Sequence, residues 1–251
     1  MVLAILQARC SSRRLPNKVL RPLLGRPMVL REVERLSRSR NIDRIVLATS
    51  VDASDDELYD VAREAGIDVY RGSLDDVLGR YYSCAKEYGA DHIVRVTGDC
   101  PVIDWRVADE VIARHLTEQN DYTRTTAYFP DGLDTEIITF EALSKAYREA
   151  KLCSEREHVT LYFHNHPENF RLGVVDCAED YGDMRWTVDE PRDFVLIEEI
   201  YKRLYPVHSD FSMQEILALL KEKPELQEIN RGIIRNEGLQ KSLAEDTEFI
   251  R

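Results

Sequence analysis

Cysteine is scarce and unpatterned: Cys10, Cys84, Cys100, Cys153 and Cys177 are odd in number, scattered, and show no CxxC spacing. Neither a disulfide framework nor a zinc site is indicated, and a reducing cytoplasm is the expected home. No membrane-length apolar run occurs. The opening MVLAILQA is too short to span and lacks the basic n-region and cleavage site of a signal peptide. Neither the Walker A pattern GxxxxGK[ST] nor the dinucleotide pattern GxGxxG is found. Internal repeats, low-complexity tracts and a clear linker are missing too, so residues 1–251 are expected to form a single domain with a helical C-terminal extension from about 206. One further absence is local: no acidic residue precedes Glu32.

That gap coincides with a concentration of positive charge. Residues 1–50 hold 11 Lys+Arg against 3 Asp+Glu, although the whole chain carries a net charge of −12. The other 201 residues therefore hold 23 basic and 43 acidic groups, a balance of −20. An acidic body repels a long polyanion, so no nucleic-acid groove is expected; a focused basic segment suits a small phosphorylated ligand. Hydrophobic residues make up 43% of the chain, enough for a full core.

Apolar runs and helical periods alternate along the first half. VLAILQA, RIVLAT (44–49), IDVY and HIVRVT (92–97) read as strands. Between them lie a helix over 28–39 after Pro27, a helix capped by Ser54 and closed by Gly66, and a helix within 74–88; another follows from about 105 to 116. This alternation predicts an α/β fold with a mostly parallel sheet and flanking helices. The second half predicts strands at DYTRTT, EIITF, FRLGVV and MRWTV, with helices over 140–150 and 155–164, one opening at Pro191 and one from about 212.

The basic segment LQARCSSRRLPNK follows the first strand, where an open α/β sheet binds ligands. Arg9, Arg13, Arg14 and Lys18, with the hydroxyls of Ser11 and Ser12, have the donors to hold a triphosphate, although a solvated basic loop has the same composition. From here the chain resembles the cytidylyltransferases that make CMP-activated sugars, through the pattern AR-x-x-S-x-R-L-P-x-K, and most closely the spore coat polysaccharide biosynthesis branch, related to the CMP-Kdo and CMP-sialic acid synthetases. The resemblance continues through VYRGSLDDVLGRYY, RVTGDCPVID, FPDGLDTEIITFEAL, SEREHVT, RWTVDEPRDF and INRGIIRNEGLQKSL. It implies a nucleotide-diphospho-sugar transferase (GT-A-like) fold, CTP as nucleotide, and Arg9, Ser12, Arg14 and Lys18 on its triphosphate, within a nucleotide-binding segment that includes Ala8 and Ser11.

A triphosphate is handled as a magnesium complex, and magnesium takes one or two protein carboxylates besides phosphate and water. Asp99 ends an apolar strand after Gly98, and reads either as a metal ligand or as a turn residue in Gly-Asp-x-Pro. Asp189 reads either as a metal ligand or as the cap of the helix at Pro191, whereas Asp193 suits that helix's N-terminus. The resemblance implies the Mg2+ role for Asp99 and Asp189, and makes Arg14, Lys18 and Asp99 the catalytic set.

Two strand ends supply base-binding candidates, Ser50 in LATSVD and Arg71, Gly72 and Ser73 in VYRGS. The resemblance puts the base against the second. For the acceptor, a small acidic sugar or phosphorylated compound, the candidates are Asp134, Glu136, Arg156 and His158; a hairpin turn and a solvated helix start explain the same residues. The expected reaction joins CMP to that acceptor with release of pyrophosphate, for a surface polysaccharide, and the resemblance suggests a homodimer. Two rivals stand beside it: a GT-A glycosyltransferase, which usually carries Asp-x-Asp where only the isolated Asp99 stands here, and a non-catalytic nucleotide-binding module.

Overall fold

The computed structural model describes residues 1–235, 237–244 and 246–249. Among the described residues the strands are β1 (Val2–Gln7), β2 (Pro22–Leu23), β3 (Arg26–Pro27), β4 (Arg44–Ser50), β5 (Asp68–Gly72), β6 (His92–Thr97), β7 (Tyr122–Thr125), β8 (Glu136–Thr139) and β9 (Leu172–Val175). The α-helices are α1 (Met28–Leu36), α2 (Asp56–Glu64), α3 (Val77–Tyr88), α4 (Trp105–Glu118), α5 (Phe140–Glu149), α6 (Cys153–Glu157), α7 (Leu161–Asn165), α8 (Pro191–Leu204), α9 (Met213–Glu222) and α10 (Glu237–Ala244).

Seven strands form one sheet in the order β5-β4-β1-β6-β8-β7-β9, and β2 and β3 pair as a separate hairpin. β5, β4, β1 and β6 are parallel, whereas β8 runs antiparallel to both its neighbours. Leu3 to Leu6 of β1 are all fully buried because helices cover both faces, which is why this strand reads as a continuous apolar run. Ala4 and Leu6 pack towards α1, α4, α8 and α9; Leu3 and Ile5 pack towards α3, α5 and α7. Each such leucine or isoleucine gains about 1.5–3 kcal/mol from burial. Phe211, Met213, Ile216 and Leu220 join the same apolar cluster as β1, so the C-terminal helices pack on the sheet's own core.

The strand order reverses around β1: the chain passes to β4 and β5 on one side and returns to β6 on the other. The crevice beyond the carboxyl ends of β1 and β6 is therefore the switch point where such sheets take ligands. The two chains leave it almost touching. A Cβ on Gly98 would lie 2.8 Å from Ala8 Cβ, so only glycine fits there.

Several local expectations are corrected. Asp52, not Ser54, does the capping: its side chain accepts the Ser54 amide at 2.9 Å and opens a short 3-10 turn ahead of α2. The helix expected over 155–164 is two short helices, broken where Val159 adopts φ 39°, a left-handed conformation costly for a β-branched residue. MRWTV forms no strand. The Trp186 amide donates to the Asp131 carbonyl (2.6 Å) and the Val188 amide to the Asp99 carbonyl (2.8 Å), so its bonds go to two different segments instead of one ladder. The helix expected within 74–88 begins at Val77, capped by Asp76.

Candidate active site

The basic loop is held from below. Asp55 is fully buried and accepts the Cys10 amide at 2.7 Å through one oxygen and the Ser50 amide at 3.2 Å and hydroxyl through the other. The loop then folds back: the Asn17 amide donates to the Cys10 carbonyl (3.1 Å), Asn17 turns through φ 54°, and the Ser12 hydroxyl accepts the Leu15 amide at 3.3 Å. Asparagine tolerates that left-handed turn. Its result is to aim Lys18 inward, under the loop.

Lys18 Nζ donates to Asp99 (3.0 Å), Asp189 (2.9 Å) and the Val188 carbonyl (2.8 Å), with its side chain only 11% exposed. Burial opposes its charge, but Asp99 and Asp189 outweigh burial, and its pKa lies above the usual lysine value. Burial likewise opposes ionisation of Asp99; Lys18, Thr97 and Cys100 outweigh it and hold that carboxyl at about 2. Asp99 and Asp189 are neighbours because the Thr187 hydroxyl (3.2 Å) and the Val188 amide (2.8 Å) both donate to the Asp99 carbonyl.

Around this pair the charges alternate. Arg14 lies 3.1 Å from Asp189, and Arg185 contacts Asp189 (2.8 Å), Asp131 (2.8 Å) and Asp193 (3.1 Å). Arg235 extends the series to Asp134 at 2.8 Å and reaches Asp131 at 3.6 Å. Burial, aided by Asp134, pushes the Asp131 carboxyl up to about 7 against the pull of Arg235 and Arg185. Gly132 permits this packing: at φ 107°, a Cβ on it would lie 2.6 Å from the Thr187 nitrogen. Asp193 accepts the Asp189 and Glu190 amides at 3.0 and 2.9 Å and so caps α8, as expected. Glu190 is the residue at the cap position, which leaves the Asp189 carboxylate to Lys18, Arg14 and Arg185.

The other expected residues divide. Ala8 is packed against Gly98; Arg9 is half-buried and makes no ion pair among the described residues; Ser11 is exposed. Ser50 and Gly72 pair across β4 and β5, which brings the two base-binding segments to one rim. There Arg71 donates to the Ser50 (2.7 Å) and Asp52 (3.0 Å) carbonyls and pairs with Asp56 (2.7 Å), while Ser73 accepts the Asp76 amide (3.1 Å). Glu136 is buried between Arg95 and the Tyr122 hydroxyl. His158 meets Ser242 at 3.0 Å. Arg156 is set apart: it is 1% exposed, donates to the Tyr147 carbonyl (2.7 Å) and Asp76 (2.5 Å), and lies between the Tyr147 and Phe249 rings. Its guanidinium clamps α6 internally and faces no open acceptor surface.

Sequence reasoning missed Asp55, Arg185, Arg235 and Arg95. For Arg95 a signal existed, a cation inside the apolar strand HIVRVT; Arg185 precedes Asp189 and Asp193 at intervals of four, but the acidic run hid it. Nothing local marks Asp55 or Arg235.

Two carboxylates converging on one cationic point are hard oxygen donors suited to a divalent cation. Among the described residues no cluster of three or more His, Cys, Asp or Glu side chains offers a complete cage. Such a donor set fits a cation that shares its shell with phosphate and water, with Asp99 and Asp189 as the protein's part.

The cytidylyltransferase family model matches residues 3–230. The spore coat polysaccharide biosynthesis protein SpsF of Bacillus subtilis is 33% identical over 231 residues, covering 89% of this chain and 95% of that protein. A 3-deoxy-manno-octulosonate cytidylyltransferase of Chlorobaculum parvum is 32% identical over 183 residues, 72% of this chain and 70% of its own. The structure of a cytidylyltransferase from Leptospira borgpetersenii superposes with a TM-score of 0.87 at 30% identity, covering 93% of this chain and 99% of that one. The chain belongs to the cytidylyltransferase family and is a CTP-dependent nucleotidyltransferase with the nucleotide-diphospho-sugar transferase fold.

Proposed function

We propose that this protein, with Mg2+, transfers CMP from CTP to a hydroxyl of an acidic sugar or similar small acceptor in making a surface polysaccharide. The observation that carries this reading is Lys18 bridging Asp99 and Asp189 at the carboxyl ends of β1 and β6. The acceptor oxygen forms a bond to the α-phosphorus, the bond from that phosphorus to the β-bridging oxygen breaks, pyrophosphate leaves, and the hydroxyl proton passes to solvent. Catalysis is positioning and charge neutralisation. Arg9, Arg14 and Lys18 hold the triphosphate, with the segments at Ser50 and at Arg71 to Ser73 around the base. Asp99 and Asp189 would hold the magnesium, which when bound supplies charge neutralisation on the phosphates. The carboxylate named in octulosonate supports an acidic sugar acceptor, and the role in SpsF's name supports a surface polysaccharide. Asp134 and His158 line the acceptor side, and Glu136, buried between Arg95 and Tyr122, supports β8 from within. The reading includes a homodimer acting in the cytoplasm; among the described residues no helix is long and apolar enough to cross a membrane.

Pyrophosphate release tests the reaction, with each of the four nucleoside triphosphates, magnesium and a panel of acidic sugars, sugar phosphates and phosphonates. Release with CTP and an acidic acceptor is expected, and Asp99→Asn lowers it by about 10²–10³-fold while CTP still binds. Failure to bind any nucleotide would overturn the reading, as would turnover unaffected by Asp99→Asn.

A further inference from the structure

The C-terminal segment crosses the site. Asn230 is buried and donates to the Arg185 carbonyl and to Asp193, both at 2.9 Å, and Arg235 reaches Asp134. α10 comes next with no fully buried side chain, and with Leu239 and Ser242 half-buried. An eight-residue helix does not persist in water on propensity alone, so its contacts with α6 and those beyond its ends hold it. Asn230 and Arg235 are the anchors before it. After it, Asp246 accepts the Ser154 amide (3.1 Å) and hydroxyl (2.6 Å), and the Thr247 carbonyl accepts the Cys153 amide (2.8 Å). Phe249 completes this second anchor under the Arg156 guanidinium.

Between the anchors the segment touches both sides of the site. Ser242 bonds Glu157 (2.8 Å) and His158 (3.0 Å). Glu237 places a carboxylate oxygen 3.1 Å from Arg14 Nη1, while Arg14 Nη2 lies 3.1 Å from Asp189. A guanidinium fork grips phosphate with the same nitrogens. Glu237 is therefore an anion already seated on a residue of the phosphate loop. Its side chain is 61% exposed and that of Arg14 36%, so the pair is weak and weakens further with salt. A multiply charged phosphate chain outcompetes it.

We propose that α10 is a strap over the nucleotide site and that Glu237 is an internal competitor for Arg14, displaced when the phosphates of the nucleotide bind. The inference rests on the reading of residues 9–18 as the triphosphate cradle and adds a residue that tunes nucleotide affinity. Displacement releases α10 between its two anchors, and Ser242 carries the change to His158 on the acceptor side.

The test is CTP binding by calorimetry with magnesium, at low and high salt, for the full chain and the variants Glu237→Gln and Arg14→Gln, with hydrogen exchange over 237–244 followed with and without CTP. Arg14→Gln weakens binding. Glu237→Gln tightens it by about two- to fivefold at low salt and by less at high salt, and CTP lowers protection over 237–244. Unchanged or weaker binding by Glu237→Gln, or unchanged exchange, overturns the strap. If Arg14→Gln binds CTP like the unaltered protein, the strap fails while the transfer reading stands on Lys18 and Asp99. If the unaltered protein binds no CTP, the transfer reading itself fails and takes the strap with it.

Discussion

The two ends of the sheet bury polar groups of opposite kinds. At the carboxyl end, Asp134, Arg235, Asp131, Arg185, Asp189, Lys18 and Asp99 alternate in sign, and the series opens at a rim where the Asp134 side chain is 43% exposed. At the amino end, His92 Nδ1 meets His115 Nε2 at 3.1 Å, His115 Nδ1 meets the Thr123 hydroxyl at 3.1 Å, and Asn120 donates to the same hydroxyl at 3.2 Å. His115 and Thr123 are fully buried, and Asn120 also donates to Glu118 at 2.9 Å. Neutral groups can satisfy one another with no charge left over, so they serve structure. Buried charges need partners of the other sign, and where the series reaches a rim it is ready to exchange a protein partner for a ligand.

The comparison breaks most visibly at Arg185. Replacing Arg185 by Met leaves Asp131, Asp189 and Asp193 without their shared cation, and a loss of about 3–5 kcal/mol in stability is expected from urea unfolding at pH 7. A loss below about 1 kcal/mol would mean that the charged end does not depend on alternation.

At the amino end the effect comes from pH. Burial, with the neighbouring His92, lowers His115 to about 4. A histidine with a depressed folded pKa stabilises the native state above its unfolded value of about 6.5, and that contribution is lost as the pH falls towards 4. Between pH 7 and 5 the loss amounts to about 2 kcal/mol. Urea midpoints across that range check it, and His115→Gln flattens the slope.

Glu32 is the exception that sharpens the contrast. It lies on α1, fully buried near Asp99, and neither carboxylate oxygen has a partner in full hydrogen-bond geometry among the described residues, although the Cys100 amide is close enough to favour its charged form. Burial, with Asp99, pushes its pKa well above the ordinary carboxylate value, against the Cys100 amide and Lys18. The native state thus keeps a proton that the unfolded chain loses above about pH 4.5, and stability falls as the pH rises from there. Glu32→Met is expected to raise stability by about 1–2 kcal/mol at pH 7, and by less at pH 5. Equal gains at both values would contradict the protonated form.

Much of the fold was legible. HIVRVT is β6 to the residue, and VLAILQA and RIVLAT miss the ends of β1 and β4 by one residue each, because strands buried on both faces read as near-continuous apolar runs. The second half was less so, for reasons visible at single residues. Val159 breaks a helix that its neighbours' periodicity continues, and MRWTV divides its hydrogen bonds between Asp99 and Asp131. Among site residues, Lys18, Asp99 and Asp189 converge, whereas Arg156 turns inward to Asp76 because the Tyr147 and Phe249 rings receive its plane.

By itself the sequence determined the layered α/β architecture, the basic loop after the first strand and the two isolated aspartates, because apolar period and local charge are properties of neighbouring residues. Only the tertiary structure decided that Asp99 and Asp189 share one lysine, that Arg185 and Arg235 balance the remaining acids, and that Glu237 rests on Arg14. The contacts made by Lys18, Arg235 and Glu237 join residues 81 to 223 positions apart. Which of many like charges meet over such spans is set by how the sheet and its C-terminal helices pack, and no local pattern encodes it.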